Sequence, residues 1–257
     1  QSLILVRRQN GDRPVDVVIR GHVIVIVEPD PLCHDRRRGF GQILGRQVLP
    51  SPEELRDPIG VADPLDEERQ SPAPLVVHRY PDRVLFTVSN RCAVYCRFCL
   101  RKRQVGRAAP IAWQDLAPGL DYIRGQAAVR EVILSGGDPL LRSDEALAEL
   151  LAALRAIPHV RLLRLHTRTP AVLPQRITPG LVRRLQGFQP LWINTHFNHP
   201  AEITPEAAAA CGRLVDAGFP VGCQTVLLRG INDAPAVMAA LRRRLVELRG
   251  PPSYLHH

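Results

Sequence analysis

Lysine and aromatic residues are scarce in this chain of 257 residues. Lys102 is its only lysine, aromatic residues make up 5% of the sequence, and the formal net charge of +9 is therefore carried almost entirely by arginine. Proteins that bind nucleic acid commonly cluster their cations and interleave them with aromatic rings for base stacking. Here the arginines are spread along the chain, and no aromatic residues interleave with the triplets at 36–38 and 242–244. We therefore expect a solvated basic surface and no nucleic-acid partner.

Long apolar runs are also absent. No apolar segment approaches the roughly 20 residues that a membrane-spanning helix requires, so no membrane partner is expected. The stretch at 15–27 is rich in valine and isoleucine but is interrupted by Arg20, Gly21 and His22, which indicates strand or irregular structure. With 45% hydrophobic residues, the chain is long enough for one large α/β domain with a sizeable core.

The six cysteines do not have the distribution of a disulfide framework. Three of them lie in one short loop, whereas Cys33, Cys211 and Cys223 are scattered. Both facts fit a reducing compartment, in which thiols stay free or bind metal. We therefore expect a cytoplasmic protein.

The short loop carries Cys92, Cys96 and Cys99 in a C-x3-C-x2-C pattern. This spacing lets a loop place three thiolates on one face of an iron–sulfur cube. A structural zinc site needs four protein ligands, and no fourth cysteine or histidine follows before Arg107. A four-iron cluster held by three thiolates keeps one iron open, where it can chelate a substrate or a cofactor. A zinc or nucleic-acid binding module is the non-enzymatic alternative.

Apolar runs alternate with helical patterns after residue 75, which predicts repeated strand–helix–strand units. Buried parallel strands are predicted at 84–89, 131–135, 162–167, 191–197 and 222–228. Helices are predicted at 113–126, 145–157, 179–185, 205–217 and 235–248. Right-handed crossovers should join these units, and residues 251–257 would begin a sixth strand. Prolines recur among acidic residues from 48 to 74, which favours an extended connection.

The cysteine loop, with an aromatic residue before its last cysteine, resembles the signature of radical S-adenosylmethionine (SAM) enzymes, whose open iron binds the amino and carboxylate groups of SAM. Further segments resemble the lysine 2,3-aminomutase branch of that family and occur in its order. These segments are residues 78–83, 101–103, 135–140, 166–170, 195–200 and 229–233. The resemblance covers roughly residues 46–257.

The fold implied by this resemblance is a partial (β/α)6 barrel of the radical SAM type at 76–257, preceded by an N-terminal extension and linker at 1–75. Residues 1–45 lack the helical periodicity expected before the barrel. Chemistry in such barrels gathers at the carboxyl ends of the strands. Periodicity alone places the cysteine loop and the other recognised segments from residue 135 onwards at that rim.

The resemblance also implies roles for individual residues, with Cys92, Cys96 and Cys99 as the metal ligands. The residues implied in SAM binding are Ser135, Gly136, Gly137, Asp138, Asn198 and His199. Those implied beside pyridoxal 5'-phosphate (PLP) are Arg79, Tyr80 and Arg83, while Arg101 would hold the substrate carboxylate and Asp233 a distal ammonium. As a bare sequence, Gly-Gly-Asp-Pro is more often an ordinary turn. His166, His196 and His199 are interpreted as hydrogen-bonded polar residues at strand ends rather than as metal ligands.

The function implied is that of an isomerase, a radical SAM aminomutase that moves the α-amino group of L-lysine to the β carbon with a [4Fe-4S] cluster, SAM and PLP. The alternatives are the aminomutase that β-lysylates elongation factor P, a glutamate or arginine 2,3-aminomutase, and an inactive remnant. The expected partners are a small amino acid, an electron donor such as flavodoxin or ferredoxin, and a second copy of the full-length protein.

One departure from the family concerns the end of the chain. The family holds PLP on a lysine shortly after the sixth strand, where a second acid for the substrate ammonium also lies, and this chain stops at His257 inside that strand. Lys102 is an unsuitable substitute because it lies in the cluster loop. We therefore expect a chain truncated at its carboxyl end that lacks the PLP lysine.

Overall fold

The computed structural model describes residues 5–6, 15–19, 22–26, 36–56, 60–106 and 109–256. The strands in these ranges are β1 Leu5–Val6, β2 Val15–Ile19, β3 His22–Ile26, β4 Val76–Tyr80, β5 Arg83–Ser89, β6 Glu131–Gly136, β7 Leu162–His166, β8 Leu191–His196, β9 Val221–Val226 and β10 Pro252–His256. The helices are α1 Arg36–Val48, α2 Trp113–Gly125, α3 Asp144–Arg155, α4 Thr169–Val172, α5 Pro179–Gln186, α6 Pro205–Asp216 and α7 Pro235–Glu247. Short 3-10 turns lie at Pro52–Arg56, Pro139–Leu141, Pro174–Arg176 and Pro200–Glu202.

The main sheet has seven strands in the order β10-β9-β8-β7-β6-β5-β4 and curls into a half-barrel. Strands β5 to β10 are all parallel, whereas β4 is antiparallel to β5. The strand–helix alternation predicted from periodicity is therefore confirmed, and the predicted fold class is correct. Most element ends differ by only one or two residues from the predicted ends, because the apolar periodicity ends where the chain leaves the core.

The antiparallel strand β4 was not predicted from the sequence. It pairs with β5 through a tight turn at Pro81 and Asp82, with Tyr80 opposite Arg83. Its five residues are too few to show a clear alternation of apolar and polar side chains. The strand forms because its backbone pairs with β5 across the turn. As a result Arg79 and Tyr80 lie at the amino end of β5.

The N-terminal part combines a small sheet with a helix. Strands β2 and β3 form an antiparallel hairpin, which confirms the strand interpretation of the apolar stretch for these residues. Helix α1 occupies 36–48, although its sequence shows little helical periodicity. Its last turn is instead stabilised by tertiary contacts, since Gln47 is 1% exposed. Cys33 and much of the segment 1–45 lie outside the described residues.

The two faces of the barrel sheet differ in chemistry. One face packs its apolar residues, such as Leu163, Leu165 and Ile193, against the helices to form the core. The strand register places alternate residues on the other, interior face, and these residues are Arg83, Leu85, Thr87, Glu131, Ile133, Ser135, Leu162, Arg164, His166, Trp192, Asn194, His196, Gly222, Gln224, Val226, Tyr254 and His256. The interior is therefore mostly polar. None of the helices in the described ranges combines the length and the hydrophobicity of a membrane-spanning helix.

Candidate active site

The cysteine loop begins directly after β5, at the carboxyl rim of the barrel. Its three thiols are free and partly buried. Burial raises the pKa of the Cys92 thiol well above its usual range, and Asp138 and the other two cysteines raise it further. Burial also raises the pKa of Cys99, with Cys96 adding to the effect. The loop therefore carries three free, partly buried thiols within a short stretch of chain.

This group of sulfurs fits an iron–sulfur cube. In such a cube each thiolate binds a different iron, so the three sulfurs need not converge on one point. Among the residues that the structure describes, no three histidine, cysteine, aspartate or glutamate side chains are grouped so as to hold a single metal ion. Metal binding would displace protons from the thiols, including Cys92 and Cys99, whose pKa values are raised here.

Residues from α1 and the turn after it hold the loop in place. Arg97 donates from its backbone nitrogen to the Gln47 carbonyl (2.8 Å) and from Nη1 to the Arg46 carbonyl (2.8 Å). Glu54 pairs with Arg97 (2.5 Å) and with Lys102 (3.0 Å). Although partial burial opposes it, the hydrogen bonds from Lys102 and Arg97 lower the pKa of Glu54. The segment expected to be an extended connection is thus partly packed, and Lys102 is engaged outside the barrel interior.

The glycine pair at the end of β6 makes room for the backbone of the cysteine loop. A Cβ atom on Gly137 would lie 2.5 Å from the carbonyl oxygen of Arg91, and Gly136 has a φ of +113°. The Gly137 nitrogen donates to the Ser89 carbonyl (2.5 Å), and the Asp138 nitrogen donates to the Arg91 carbonyl (2.7 Å). Because they have no side chains, these glycines allow the backbone that leads into the cysteine loop to pack directly against the end of β6.

Asp138 joins the ends of β6 and β7. Its buried carboxylate accepts hydrogen bonds from the Leu140 nitrogen (3.0 Å), the Thr167 hydroxyl (2.7 and 2.9 Å), the Arg168 nitrogen (2.9 Å) and the Thr169 nitrogen (3.1 Å). Burial raises the pKa of Asp138, while these donors oppose the shift. The Asp138 carboxylate therefore makes its hydrogen bonds within the protein. Ser135, near the end of β6, lies on the interior face.

A second polar network lies where β7 and β8 end. Arg168 donates from Nη1 to the Cys96 sulfur (2.8 Å) and from Nη2 to Glu202 (2.5 Å) and to Gln47 (2.7 Å). Asn198 is fully buried and donates to the same Gln47 oxygen (3.0 Å). Sequence reasoning missed Arg168, Glu202 and Gln47 as site residues, although Arg168 lay within a recognised segment.

The predicted SAM-binding residues after β8 make local contacts. The Asn198 side-chain oxygen accepts from the Val226 nitrogen (2.9 Å) and lies 2.9 Å from His196 Nε2. His199 is partly buried, and its Nδ1 accepts from the Ala201 nitrogen (3.1 Å). The structure brings both residues to the carboxyl rim near the cysteine loop, with the Asn198 amide already engaged.

Two histidines on the interior face are held neutral. His166 Nε2 lies 3.0 Å from the Asn194 side-chain nitrogen, which donates to it. Burial, with the nearby cations Arg164 and Arg101, lowers the pKa of His166 to about 3. Burial, with Arg168, lowers the pKa of His196 to about 3. Both imidazoles can therefore serve as uncharged hydrogen-bonding groups at neutral pH.

Arg101 is brought to the site but is already paired. Its guanidinium makes a forked contact with Glu67, with Nε to Oε2 at 2.9 Å and Nη2 to Oε1 at 2.5 Å. Nη1 reaches Ser135 Oγ at 3.5 Å. Glu67 is 5% exposed and was not identified from the sequence. The remaining edge of the Arg101 guanidinium faces the end of β6.

Three other predicted residues, Arg79, Tyr80 and Arg83, lie away from the cysteine loop. Arg79 and Tyr80 are exposed, and the Arg83 guanidinium lies over the Tyr80 ring, 5.3 Å from its centre. Since β5 has seven residues that each rise about 3.3 Å, this cluster is about 20 Å from the loop. Asp233 is exposed, and its carboxylate accepts from the Gly230 nitrogen (2.9 Å) in the turn after β9. The structure does not bring Arg79, Tyr80 and Arg83 to the cysteines. The turn that carries Asp233 is linked to the cysteine loop through Arg46, which donates to the Gly230 carbonyl and accepts from Arg97.

Comparisons with known proteins give a consistent result. Residues 86–241 match the family model described as the Radical SAM superfamily. The chain is 49% identical over 213 residues to the L-lysine 2,3-aminomutase of Clostridium subterminale, a match covering 82% of this chain and 51% of that protein. It is 39% identical over 238 residues to the glutamate 2,3-aminomutase of Clostridioides difficile, covering 92% of this chain and 54% of that protein.

A solved structure shares the fold. The structure described as native anSMEcpe with bound AdoMet superposes with a TM-score of 0.52 at 12% identity, covering 67% of this chain and 50% of that chain. At this identity the likeness concerns the fold alone. The chain spans about half the length of the curated relatives it matches.

Proposed function

We propose, because this chain belongs to the radical SAM superfamily, that it acts as an aminomutase that moves the α-amino group of L-lysine to the β carbon. The observation that carries this proposal is the identity of 45% to 49% with L-lysine 2,3-aminomutases across 82% of the chain. A glutamate 2,3-aminomutase at 39% identity makes glutamate the second candidate substrate. Either reaction is an isomerisation.

The cofactors proposed are a [4Fe-4S] cluster, SAM and PLP. Cys92, Cys96 and Cys99 are the proposed ligands of the cluster, since all three are free, partly buried thiols on one short loop. When bound, the cluster and SAM supply a hydrogen-abstracting radical, and PLP supplies a conjugated ring that spreads an unpaired electron. The role of the protein is to bind and orient the cofactors and the substrate, and to shield them from solvent.

The proposed SAM site lies between the cysteine loop and the ends of β6 and β8. Ser135, Gly136 and Gly137 border it, while Asp138 shapes it through hydrogen bonds to the next strand end. Asn198 and His199 border it on the β8 side. Because the Asn198 amide is already engaged within the protein, we propose that it acts by holding the rim rigid.

The proposed PLP site uses the amino end of the interior face. Arg83 faces the interior beside Glu131, and a guanidinium fork suits phosphate oxygens. Arg79 and Tyr80 flank it on the edge strand. These three residues would hold the phosphate of PLP, and the cofactor would supply its conjugated ring.

Substrate recognition is proposed to centre on Arg101. Its Nη1 faces Ser135 at the interior rim, where a substrate carboxylate could bind, and Glu67 holds the rest of the guanidinium. Asp233 remains the proposed acid for a distal ammonium, although its carboxylate holds the Gly230 nitrogen. Replacing Asp233 by asparagine should weaken lysine binding more than glutamate binding if that role is correct.

The setting and partners belong to the same proposal. We propose a cytoplasmic enzyme that receives its electron from flavodoxin or ferredoxin, since free cysteines are typical of a reducing compartment. A homo-oligomer of the full-length protein is proposed as the active assembly.

Anaerobic reconstitution with iron and sulfide tests the first step. We expect a brown protein with about four irons per chain, because three thiolates and one open iron describe a [4Fe-4S] site. Replacing Cys96 by alanine should abolish cluster assembly, whereas replacing Cys211, which is buried in the core beside Phe197 and Leu241, should not. A colourless protein that binds one zinc tightly would contradict the proposal. Lysine and glutamate turnover by the full-length protein, reconstituted in the same way and supplied with SAM, PLP and a reductant, then decides the reaction.

A further inference from the structure

Arg168 is a buried cation that no proposed step has yet used. It follows β7, its side chain is 10% exposed, and its Nη1 lies 2.8 Å from the Cys96 sulfur. The guanidinium also lies over the ring of Phe98, 5.2 Å from its centre. The contact to sulfur is thus made inside the protein, where charge is weakly screened.

Contacts from two distant parts of the chain hold this guanidinium in place. Glu202, whose side chain is 3% exposed, accepts from Nη2, and its other oxygen accepts from the Asn198 and His199 nitrogens. Gln47 of α1 accepts from the same Nη2 and from Asn198. Since both acceptors are themselves fixed, Nη1 is directed at Cys96 rather than free to sample other positions.

The physical effect on a metal cluster follows from charge. Adding an electron to an iron–sulfur cluster increases the negative charge on its sulfurs. A hydrogen bond from a permanently charged guanidinium stabilises that added charge, and hydrogen bonds to the sulfurs are among the terms that set cluster potentials. Glu202 opposes the cation's field, but its oxygens bind Nη2 and backbone nitrogens, so the hydrogen bond to sulfur remains.

We propose that Arg168 is a positioning residue that raises the reduction potential of a cluster bound through Cys96. This inference deepens the proposed function and rests on it in one respect, the assembly of a cluster on the three cysteines. Arg168 acts through Cys96 and makes the cluster easier to reduce by a physiological donor.

The test is a spectroelectrochemical titration of the reconstituted chain without SAM or amino acid, so that the readout is the midpoint potential and not turnover. Arg168→Gln keeps a hydrogen-bond donor but removes the charge. At the potential that half-reduces the wild-type cluster, the reduced-to-oxidised ratio in this variant should be about tenfold lower, a shift of about 59 mV for a one-electron couple. Arg168→Lys keeps the charge, so its midpoint potential should lie between those of the wild type and Arg168→Gln.

Arg155→Gln is the matched control. Arg155 is also a partly buried arginine, but it donates to the carbonyls of Phe188 and Pro190 far from the cysteines, so its loss should leave the midpoint unchanged. Equal midpoints for wild type and Arg168→Gln would overturn the inference, as would folded Arg168 variants that assemble no cluster, because Arg168 would then be an assembly residue. If the wild type assembles no cluster, the proposed function fails instead.

Discussion

Replacing Asp138 by asparagine should be one of the most damaging isosteric changes in the protein. One carboxylate oxygen accepts from the Leu140 nitrogen, and the other accepts from the nitrogens of Arg168 and Thr169. The Thr167 hydroxyl can rotate to suit either group. An asparagine can offer its oxygen to one side only, so its NH2 group must face at least one buried backbone N–H.

The expected loss of stability follows from these contacts. Each buried donor left without a partner costs about 1–3 kcal/mol. Asparagine leaves at least one such donor without a partner and also loses the charge that strengthens the remaining hydrogen bonds. We therefore expect the free energy of unfolding to fall by about 3 kcal/mol. Because the Arg168 nitrogen is one of the partners, the turn that holds Arg168 against Cys96 should loosen as well.

Urea unfolding followed by far-UV circular dichroism measures this loss. Asp121→Asn is the control, since Asp121 makes an exposed ion pair with Arg124 and its loss should cost under about 1 kcal/mol. If Asp138→Asn were no more destabilising than Asp121→Asn, the carboxylate would not be the link between the ends of β6 and β7 that the structure shows.

Two further predictions concern the loop and the histidines. Gly137→Ala should displace the cysteine loop and lower the iron content after reconstitution, since its Cβ would lie 2.5 Å from the Arg91 oxygen, whereas Gly125→Ala, with open space around it, should not; equal iron contents would contradict this. His166 and His196 have folded pKa values of about 3 and an ordinary unfolded value of about 6.5. The unfolded chain therefore binds protons more readily, and the free energy of unfolding should fall as pH drops from about 6.5 toward 3, by up to about 2 kcal/mol per histidine at pH 5. Urea midpoints at pH 7 and 5 measure this, and His166→Gln should reduce the difference; an unchanged difference would show that His166 does not contribute.

The barrel was predictable from the sequence because its signals are local. Each parallel strand is a short apolar run and each helix shows apolar periodicity, so neither requires knowledge of distant residues. The cysteine loop was equally visible, since its three cysteines lie within eight positions. Strand β4 was missed because its residues show no clear strand pattern, and it becomes a strand only by pairing with β5.

The partners of the site residues were not predictable for the opposite reason. Arg101 pairs with Glu67 across 34 positions, and Arg168 contacts Gln47 across 121 positions. Such pairs leave no periodic trace in a single sequence. The same limit explains why the packing of Gly136 and Gly137 against the backbone of residues 89–91 was not visible in the sequence.

The tethering of the cysteine loop by α1 has a consequence for the order of events in biogenesis. The loop reaches its final form only when Arg97 meets the carbonyl of Arg46, 51 positions earlier, and Glu54, 43 positions earlier. Contacts of long sequence separation carry the largest loop-closure entropy and tend to form after local structure. The pairing of β5 with β6, for example Arg83 with Glu131, spans a similar separation. Docking of α1 should therefore accompany formation of the barrel sheet, and the cysteine loop should take its final form only when both are in place.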